Sequence, residues 1–595
     1  MKVTFKPADI TVDIEAGSTI MQAALKAGVQ IDAPCGGNGK CRKCKVNVID
    51  VNGANSVLAC QTEITDGMTV DVSGENEGHR ILMGGITRDI AEGPAVRVVN
   101  VRLKRADTTD LRSCWRRLVD GTAAALGVDP ALIKPNVKVS SDLYNVLEKN
   151  DYNIDAVVCG TEILDVLQPG APVSGIAYDI GTTTIAAYFA DLRTGAQLVQ
   201  TSMLNPQVKY GGDVIMRMKY SIENGLEGPT GDIRAALRSL CEKCAAECGR
   251  STGSVYLITV VGNTCMHHLF MGILPSSLAY APYTPQISEA IDVPASECGF
   301  SVNPSARLHM LPNIAGFVGA DTVGAALSSA IDEAEELTLL IDIGTNGEMV
   351  LGTKKRLITC STAAGPAFEG ALITCGMRGA EGAVDHVSLE GGKLSYSVIG
   401  GGRPIGICGS GLIDLMAELV RTGLVEPAGR LLTEDEADTP EGMPFRDRII
   451  ELDGMRCFLI ADKNESGSGE KIVFTQKDIR EVQLAKGAMA AGIQLMCSRL
   501  GVRDGEITKV MIAGAFGSYM SPKSACQIGL IPPLLADRVI AIGNAAGQGA
   551  KLCLLSEPEY ERAKRIGVSC DYLELAADPQ FQDVFVDQLE FPGDE

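Results

Sequence analysis

Apolar stretches separated by short polar turns run along most of this chain, and two of the turns repeat the same order of residues. The first apolar stretch ends at Asp179, turns through Gly181 and resumes as Thr-Thr-Thr-Ile-Ala-Ala-Tyr. The second ends at Asp342, turns through Gly344 and resumes as Thr-Asn-Gly-Glu-Met-Val. Two apolar stretches joined by a short glycine-containing turn are typical of a β-hairpin. Both segments are therefore predicted to be hairpins with an aspartate near the tip.

The two predicted hairpins are too far apart for a solenoid repeat but suit the two halves of a duplicated domain. Glycine in such a turn allows a close backbone approach, successive amides bind anions, and the aspartate can hold a metal ion or its waters. A single turn of this kind is also common in hairpins that bind nothing, but two in the same arrangement favour phosphate binding. The candidate residues are Asp179, Gly181, Thr182, Thr183 and Thr184 in the first hairpin, and Asp342, Gly344, Thr345, Asn346 and Gly347 in the second.

Three further turns follow apolar strands in the manner of an α/β fold. The strand 256–261 runs into Gly-Asn-Thr, so Asn263 is predicted at the start of a helix, where ligands of such folds often bind. The turn around Ser410 leads into a helix whose N-terminus either binds an anion or is simply capped by the serine. A third turn follows the strand that ends at Ala513, and its small residues can receive the flat face of a purine. That loop consists of Gly514, Ala515, Phe516 and Gly517.

Residues 1–75 are predicted to form a small β-rich domain with four closely spaced cysteines. The spacing is C-x5-C-x2-C-x15-C, and the cysteines are Cys35, Cys41, Cys44 and Cys60. Four thiolates suit either zinc or an iron–sulfur cluster. The glycine-rich loop between the first two cysteines, and the lack of two C-x2-C pairs, favour the cluster over zinc.

The rest of the chain divides at polar, glycine-containing segments. Residues 76–96 are predicted to be a linker, and residues 97–170 a small α/β unit with a helix from Thr109 to Asp120 and an αβ piece from Val157 to Leu167. Residues 171–595 follow a Pro-Gly-Ala-Pro segment and hold both aspartate hairpins.

Composition limits the classes of function. The chain has 595 residues, 46% of them hydrophobic and 21% charged, which is ordinary for soluble globular proteins. A net charge of −21 argues against binding to nucleic acid or to an anionic membrane. No apolar run approaches the roughly 20 residues that span a bilayer, and no signal-peptide core is present at the start. We therefore expect a cytoplasmic protein whose 19 cysteines are mostly reduced.

The motifs of the large part resemble the actin/sugar-kinase/Hsp70 (ASKHA) nucleotide-binding fold. By this resemblance Asp179 to Thr184 would be the phosphate 1 hairpin, Asp342 to Gly347 the phosphate 2 hairpin, and Gly514 to Gly517 the adenosine loop. The order around the four cysteines also resembles a plant- or adrenodoxin-type ferredoxin, although the gap before Cys60 is shorter than usual. The implied fold class is mixed α+β and α/β: a β-grasp ferredoxin-like domain, a small α/β middle domain and a duplicated ASKHA domain.

The whole chain resembles the reductive activators of corrinoid proteins, which join a [2Fe–2S] domain to an ASKHA domain in this order. The segments Gly-Asn-Thr-Cys-Met-His-His, Asp-Ile-Gly-Thr-Asn-Gly-Glu and Gly-Ile-Cys-Gly-Ser-Gly-Leu-Ile-Asp carry the resemblance. A related activator group has C-terminal [4Fe–4S] motifs, which this chain lacks.

The resemblance implies ATP-dependent reduction of a corrinoid protein from Co(II) to Co(I) by one electron. The implied cofactors are a [2Fe–2S] cluster and ATP with Mg²⁺. Asp179, Asp342 and Ser410 are the predicted catalytic residues. The expected partners are a corrinoid protein and an unidentified low-potential electron donor, and a homodimer is one expected assembly.

Three other functions fit parts of the sequence. The fold hosts many small-molecule kinases, in which Asp342 or Asp321 would act on a substrate hydroxyl. An ATP-gated electron carrier with another acceptor is a second alternative. Activators of radical dehydratases share the ASKHA fold, but they bind a [4Fe–4S] cluster between subunits, which the N-terminal cysteine motif does not fit.

Overall fold

The computed structural model describes residues 1–6, 9–27, 29, 31, 44–50, 53–72, 93–344, 346–517 and 519–593. Cys35, Cys41, Thr345 and most of the predicted linker lie outside the described residues, and only the backbone is described for Ala515 and Phe516.

The N-terminal domain is a five-stranded sheet with one helix packed on it. Strand β1 alternates buried and partly exposed residues, as a sheet with one covered face requires. The sheet order is β2-β1-β5-β3-β4, with β1 parallel to β5 and the other pairs antiparallel. The elements are β1 (Lys2–Lys6), β2 (Ile10–Asp13), α1 (Ile20–Ala27), β3 (Lys45–Asp50), β4 (Gly53–Leu58) and β5 (Met68–Asp71).

A second unit follows, with three antiparallel strands in the order β6-β7-β8 and three helices. Its elements are β6 (Val96–Arg102), α2 (Cys114–Leu126), α3 (Val137–Ser140), α4 (Leu143–Lys149), β7 (Asn153–Cys159) and β8 (Glu162–Leu167). The helix predicted from Thr109 begins later, because Asp107 holds Thr109 in a turn and the Ser113 side chain caps α2. The predicted αβ piece is instead the hairpin β7–β8.

The large part of the chain contains two sheets built on the same plan. In the first, β9 pairs antiparallel with β10 and parallel with β12, giving the order β11-β10-β9-β12-β14-β13. The strands are β9 (Ser174–Ile180), β10 (Thr184–Asp191), β11 (Gln197–Leu204), β12 (Val255–Gly262), β13 (Ile291–Pro294) and β14 (Arg307–Met310). The helices are α5 (Val214–Asn224), α6 (Glu227–Glu247), α7 (Thr264–Met271) and α8 (Ala320–Ser329).

The second sheet repeats the arrangement: β15 pairs antiparallel with β16 and parallel with β24, in the order β25-β24-β15-β16-β17-β26. Two three-stranded sheets, β19-β18-β20 and β21-β22-β23, are inserted between β17 and β24. The strands are β15 (Thr338–Ile343), β16 (Gly347–Thr353), β17 (Arg356–Thr362), β18 (Ala383–Glu390), β19 (Lys393–Val398), β20 (Gly406–Ile407), β21 (Ile449–Leu452), β22 (Met455–Ala461), β23 (Ile472–Thr475), β24 (Lys509–Ala513), β25 (Val539–Gly543) and β26 (Cys570–Tyr572). The helices are α9 (Gly409–Arg421), α10 (Gln476–Leu500), α11 (Gly514–Gly517), α12 (Pro522–Gln527), α13 (Ala545–Leu555), α14 (Glu557–Ser569) and α15 (Phe581–Asp587).

Helices α8 and α13 join the two halves. They lie in one apolar cluster with residues of β9 and β12 from the first sheet and of β15, β16 and β24 from the second. The two helices approach each other at glycines, since a Cβ at Gly549 would lie 2.1 Å from the carbonyl oxygen of Gly324. This close contact holds the tips of β9 and β15 at one place between the sheets. No helix in the described part of the chain is long and apolar enough to cross a membrane.

Candidate nucleotide site and cysteine pair

The tips of the two aspartate hairpins face one cavity of about 390 Å³, lined by residues from both halves of the large part. This follows from the duplicated plan, because β9 and β15 hold equivalent central positions in their sheets. The predicted residues that line it are Asp179, Gly181, Thr182, Thr183, Thr184, Asn263, Asp342, Gly344, Asn346, Ser410 and Gly514.

Two predicted glycines do not line this cavity. Gly347 is buried in the sheet, where a Cβ would lie 2.8 Å from Thr362 Oγ1. Gly517, the last residue of α11, packs against the preceding strand β24, and a Cβ there would lie only 2.2 Å from the Ile512 side chain. Both glycines therefore permit close packing, and the cavity lining does not support direct ligand contacts by either.

Six carboxylates line the cavity, and four of them have raised pKa values. Burial raises the pKa of Asp179 to about 6, and burial together with the charge of Asp179 raises the pKa of Asp342 to about 7. Asp321, at the start of α8, has its pKa raised to about 7 by burial and by the charges of Asp342 and Asp179. Glu348 has a pKa well above its usual range because of burial and of Asp321 and Asp342. An added cation would relieve this repulsion, although no three acidic, cysteine or histidine side chains of the described residues are arranged to ligate a metal ion directly.

Asp321 was predicted only for the kinase alternative, and Glu348 was not among the predicted site residues. The sequence contains a signal for Glu348. In a hairpin with its turn at residues 344–346, residues 342 and 348 lie opposite each other, and the strand register shows this pairing of Asp342 with Glu348.

Asn544 lies in a loop that repeats the format of the predicted purine loop, but it was not among the predicted site residues. It caps α13 by accepting a hydrogen bond from the Gly547 amide, and its Nδ2 donates to Asp179 Oδ2 over 2.9 Å. This bond partly opposes the effect of burial on the pKa of Asp179. The signal in the sequence is weak: a strand that ends in Gly-Asn before a helix, as also occurs at Asn263.

Asn263 and Ser410 reach the cavity from the starts of helices. The Asn263 side chain accepts from the Met266 amide as the cap of α7 and donates to Thr182 Oγ1 over 3.1 Å. Ser410 lies in the first turn of α9, with its hydroxyl 3.4 Å from Cys408 Sγ. Gly514 starts α11 at φ +88°, and a Cβ there would lie 2.9 Å from Asp342 Oδ1. The cavity thus combines hydroxyls, amides and carboxylates with space that only glycine provides beside Asp342.

A separate site candidate lies in the N-terminal domain. Cys44 precedes β3 and Cys60 follows β4, and the hairpin register brings their Sγ atoms within 3.2 Å. Both side chains are buried in the apolar cluster of this domain. Neither forms a disulfide, and cysteine sulfur is the usual ligand of iron–sulfur clusters. The described half of the cysteine motif fits the predicted cluster.

Three family models together match most of the chain, with residues 75–173 outside them. Residues 1–74 match a 2Fe-2S iron-sulfur cluster binding domain, residues 174–334 the RACo middle region, and residues 336–595 the C-terminal domain of RACo, the ASKHA domain. The corrinoid activation enzyme RamQ of Eubacterium limosum is 35% identical over 98% of both chains.

The chain belongs to the RACo family of reductive activators. A solved structure, the reductive activator for corrinoid,iron-sulfur protein, is 32% identical and covers 100% of this chain and 98% of its own, with a TM-score of 0.75. The Co(II) methylated amine-specific corrinoid protein reductase of Methanosarcina barkeri is 25% identical over 70% of this chain and 77% of its own length. The predicted family and the predicted fold class are confirmed. The boundaries of the predicted domains stay predictions.

Proposed function

We propose that this RACo-family protein reduces the Co(II) of a corrinoid protein to Co(I) with one electron, and that ATP drives the reaction. One observation carries the proposal: a buried, hairpin-paired cysteine site and a two-hairpin phosphate-type cavity occur in one chain. The relatives named above are a corrinoid activation enzyme and a corrinoid protein reductase, and their likeness spans most of the chain.

The electron would pass through the N-terminal domain. Cys35, Cys41, Cys44 and Cys60 would hold the cluster, and a [2Fe–2S] group bound there supplies one-electron transfer. Cys44 and Cys60 lie against the apolar core with little exposure to water. The surrounding shell lowers the local dielectric, which is one factor that sets a cluster's potential.

The cavity would bind the nucleotide, and ATP with Mg²⁺ supplies the free energy of its hydrolysis. The hydroxyls of Thr182, Thr183 and Thr184 offer donors to the phosphates. Asp179 and Asp342 would hold Mg²⁺ through its waters, since Mg²⁺ binds few protein ligands directly. Burial raises the pKa of both carboxyls, and the charge of Asp179 raises that of Asp342 further; a divalent cation would favour the ionised form of both.

The two halves would couple the nucleotide to the partner. Asp179 contacts Asn544, whereas Asp342 lies beside Gly514, so the phosphate position touches elements of both sheets. Closure around a ligand is a common motion of two-lobed sites. The protein can favour Co(I) only by binding the two redox states of its partner with different affinity, and the nucleotide would change that difference.

An anaerobic titration tests the proposal. The full-length protein is reduced with Ti(III), mixed with a Co(II) corrinoid protein, and followed by absorbance with and without Mg-ATP. We expect Co(I) to accumulate only with Mg-ATP. Equal Co(I) in both samples would reject the ATP-driven reaction, and phosphorylation of a polyol without Co(I) formation would favour the kinase alternative.

A further inference from the structure

The carbonyls at the tip of the first hairpin are held by two residues from outside it. Asn205 Nδ2 donates to the Gly181 carbonyl over 2.8 Å, and the Asn205 amide donates to the Thr183 carbonyl over 2.8 Å. Between them, Arg217 Nη2 donates to the Thr182 carbonyl over 2.5 Å. Three successive carbonyls of the tip are therefore bonded by two residues that are not part of the cavity lining.

These bonds also orient the amides. In a trans peptide the C=O and N–H of one unit point in opposite directions. Fixing the carbonyls of residues 181–183 thus directs the amides of Thr182, Thr183 and Thr184 the other way, toward the cavity that these three threonines line. A row of amides that faces one side is an anion-binding arrangement.

Arg217 is unusual among the charged residues of this protein. Its side chain is fully buried, and it contacts the Gly211 carbonyl at 2.9 Å and Met266 Sδ at 3.3 Å besides Thr182. Among the described residues no carboxylate lies within ion-pair distance of it, and the charge of Asp213, the cap residue of α5, acts on it from farther away. Burial lowers the pKa of Arg217 to about 10, so its guanidinium stays charged at neutral pH.

Arg250 shows the ordinary alternative at the other end of the same strands. It bonds the Ser174 hydroxyl at the start of β9 and pairs with Asp191 at the end of β10. A buried cation without such a partner is destabilising unless something else offsets its charge. Behind the tip of the hairpin, Asp213 offsets part of the charge of Arg217, and an anion in the cavity would offset more of it.

We propose that Arg217 is a positioning residue that, with Asn205, directs the hairpin amides at the phosphates and selects ligands by their phosphate charge. The inference rests on the nucleotide site of the proposed function. Six carboxylates and the cation Arg378 line the cavity, and Arg217 adds positive charge from behind the backbone of the hairpin, which favours a polyphosphate there.

The test compares ligands that differ only in phosphate. The dissociation constants of Mg-ADP and of adenosine are measured by calorimetry for the full-length protein and for Arg217→Gln. We expect ADP affinity to fall on the order of tenfold or more, the usual scale for losing charge-assisted hydrogen bonds, while adenosine affinity changes about twofold or less. Arg250→Gln is the matched control and should leave the ratio of the two affinities unchanged.

The outcomes separate the inference from the proposed function. If the unsubstituted protein binds no ADP, both are wrong. If it binds ADP and Arg217→Gln keeps the original ratio, only the role of Arg217 is wrong. Should Arg217→Gln fold poorly, Arg217→Lys serves instead: it keeps the charge and should retain more of the ADP preference than Arg217→Met, and an equal loss in both would reject the role of the charge.

Discussion

At Asp342, burial and the charge of Asp179 together raise the carboxyl pKa to about 7. In the unfolded chain the group would lose its proton near its ordinary pKa of 3.8. Between these values the unfolded state binds fewer protons than the folded state, so ionisation of Asp342 reduces stability as pH rises and the full cost is present above pH 7. An ionised Asp342 in the empty cavity therefore lowers the free energy of unfolding.

Replacing Asp342 by Asn should therefore stabilise the nucleotide-free protein at pH 8. We expect a gain on the order of 1 kcal/mol or more in the free energy of unfolding, shrinking as pH falls toward 5. Thermal unfolding at both pH values, without nucleotide and Mg²⁺, measures it. The exposed Asp447→Asn is the control, and an equal gain from both substitutions would contradict the role assigned to the cavity.

Among the elements, the turn from β24 into α11 has little room for a side chain beside the cavity. Gly514 has φ +88°, and an added Cβ would meet Asp342 Oδ1 at 2.9 Å. Gly501, which ends α10 at φ +70°, has open space around it. An alanine would be similarly strained in the backbone at either position, but only at Gly514 would its Cβ meet another group.

Gly514→Ala should displace Asp342 and weaken Mg-ADP binding on the order of tenfold, in addition to the roughly 1 kcal/mol that alanine costs at a positive φ. Gly501→Ala should lose similar stability and keep the affinity. Calorimetry and thermal unfolding of both variants separate the two effects. Unchanged affinity in Gly514→Ala would show that this turn does not border the nucleotide.

The start of α13 serves both the helix and the site through Asn544. Asn544→Ser should keep the cap of α13, because serine is also a good N-cap residue, but lose the bond to Asp179. We expect stability to change by less than about 1 kcal/mol and Mg-ADP affinity to fall severalfold. Asn136→Ser, at the cap of α3 in the second unit, should change stability by a similarly small amount and leave the Mg-ADP affinity unchanged. A large loss of stability without any effect on ADP would mean that Asn544 is only a cap.

In the whole molecule, the cysteine pair and the nucleotide cavity lie in separate cores. Cys44 and Cys60 belong to the core of the N-terminal domain, whereas the cavity lies between the two halves of the large part, each of which has its own core. A substitution that abolishes one of the two sites should therefore leave the other intact.

Cys60→Ala should abolish the visible absorbance of the cluster and the formation of Co(I), while Mg-ADP affinity stays within about twofold of the original, because no nucleotide-binding group changes. Cys41→Ala should behave in the same way. Cys248→Ala, a partly exposed cysteine at the end of α6, is the control and should alter neither property. Formation of Co(I) by Cys60→Ala at the original rate would contradict transfer through the cluster.

Local sequence determined the hairpins at Asp179 and Asp342, the starts of α7 and α9, and the cysteine motif. Each depends on residues a few positions apart, whose spacing sets the strand period, the turn and the helix cap. The start of α2 was predicted wrongly because the Asp107 carboxylate accepts hydrogen bonds from Thr109 and holds it in a turn, which outweighed the helical pattern.

Only the tertiary structure brought Asn544 to Asp179 across 365 positions, gathered Asp321 and Glu348 with the two hairpin aspartates, and placed Arg217 behind Thr182. These contacts depend on how the two sheets and the helices between them pack. The hydrophobic period of a single strand or helix does not indicate which distant element it will pack against. The sequence therefore predicted which groups could bind phosphate, whereas the packing decided the charges that surround them.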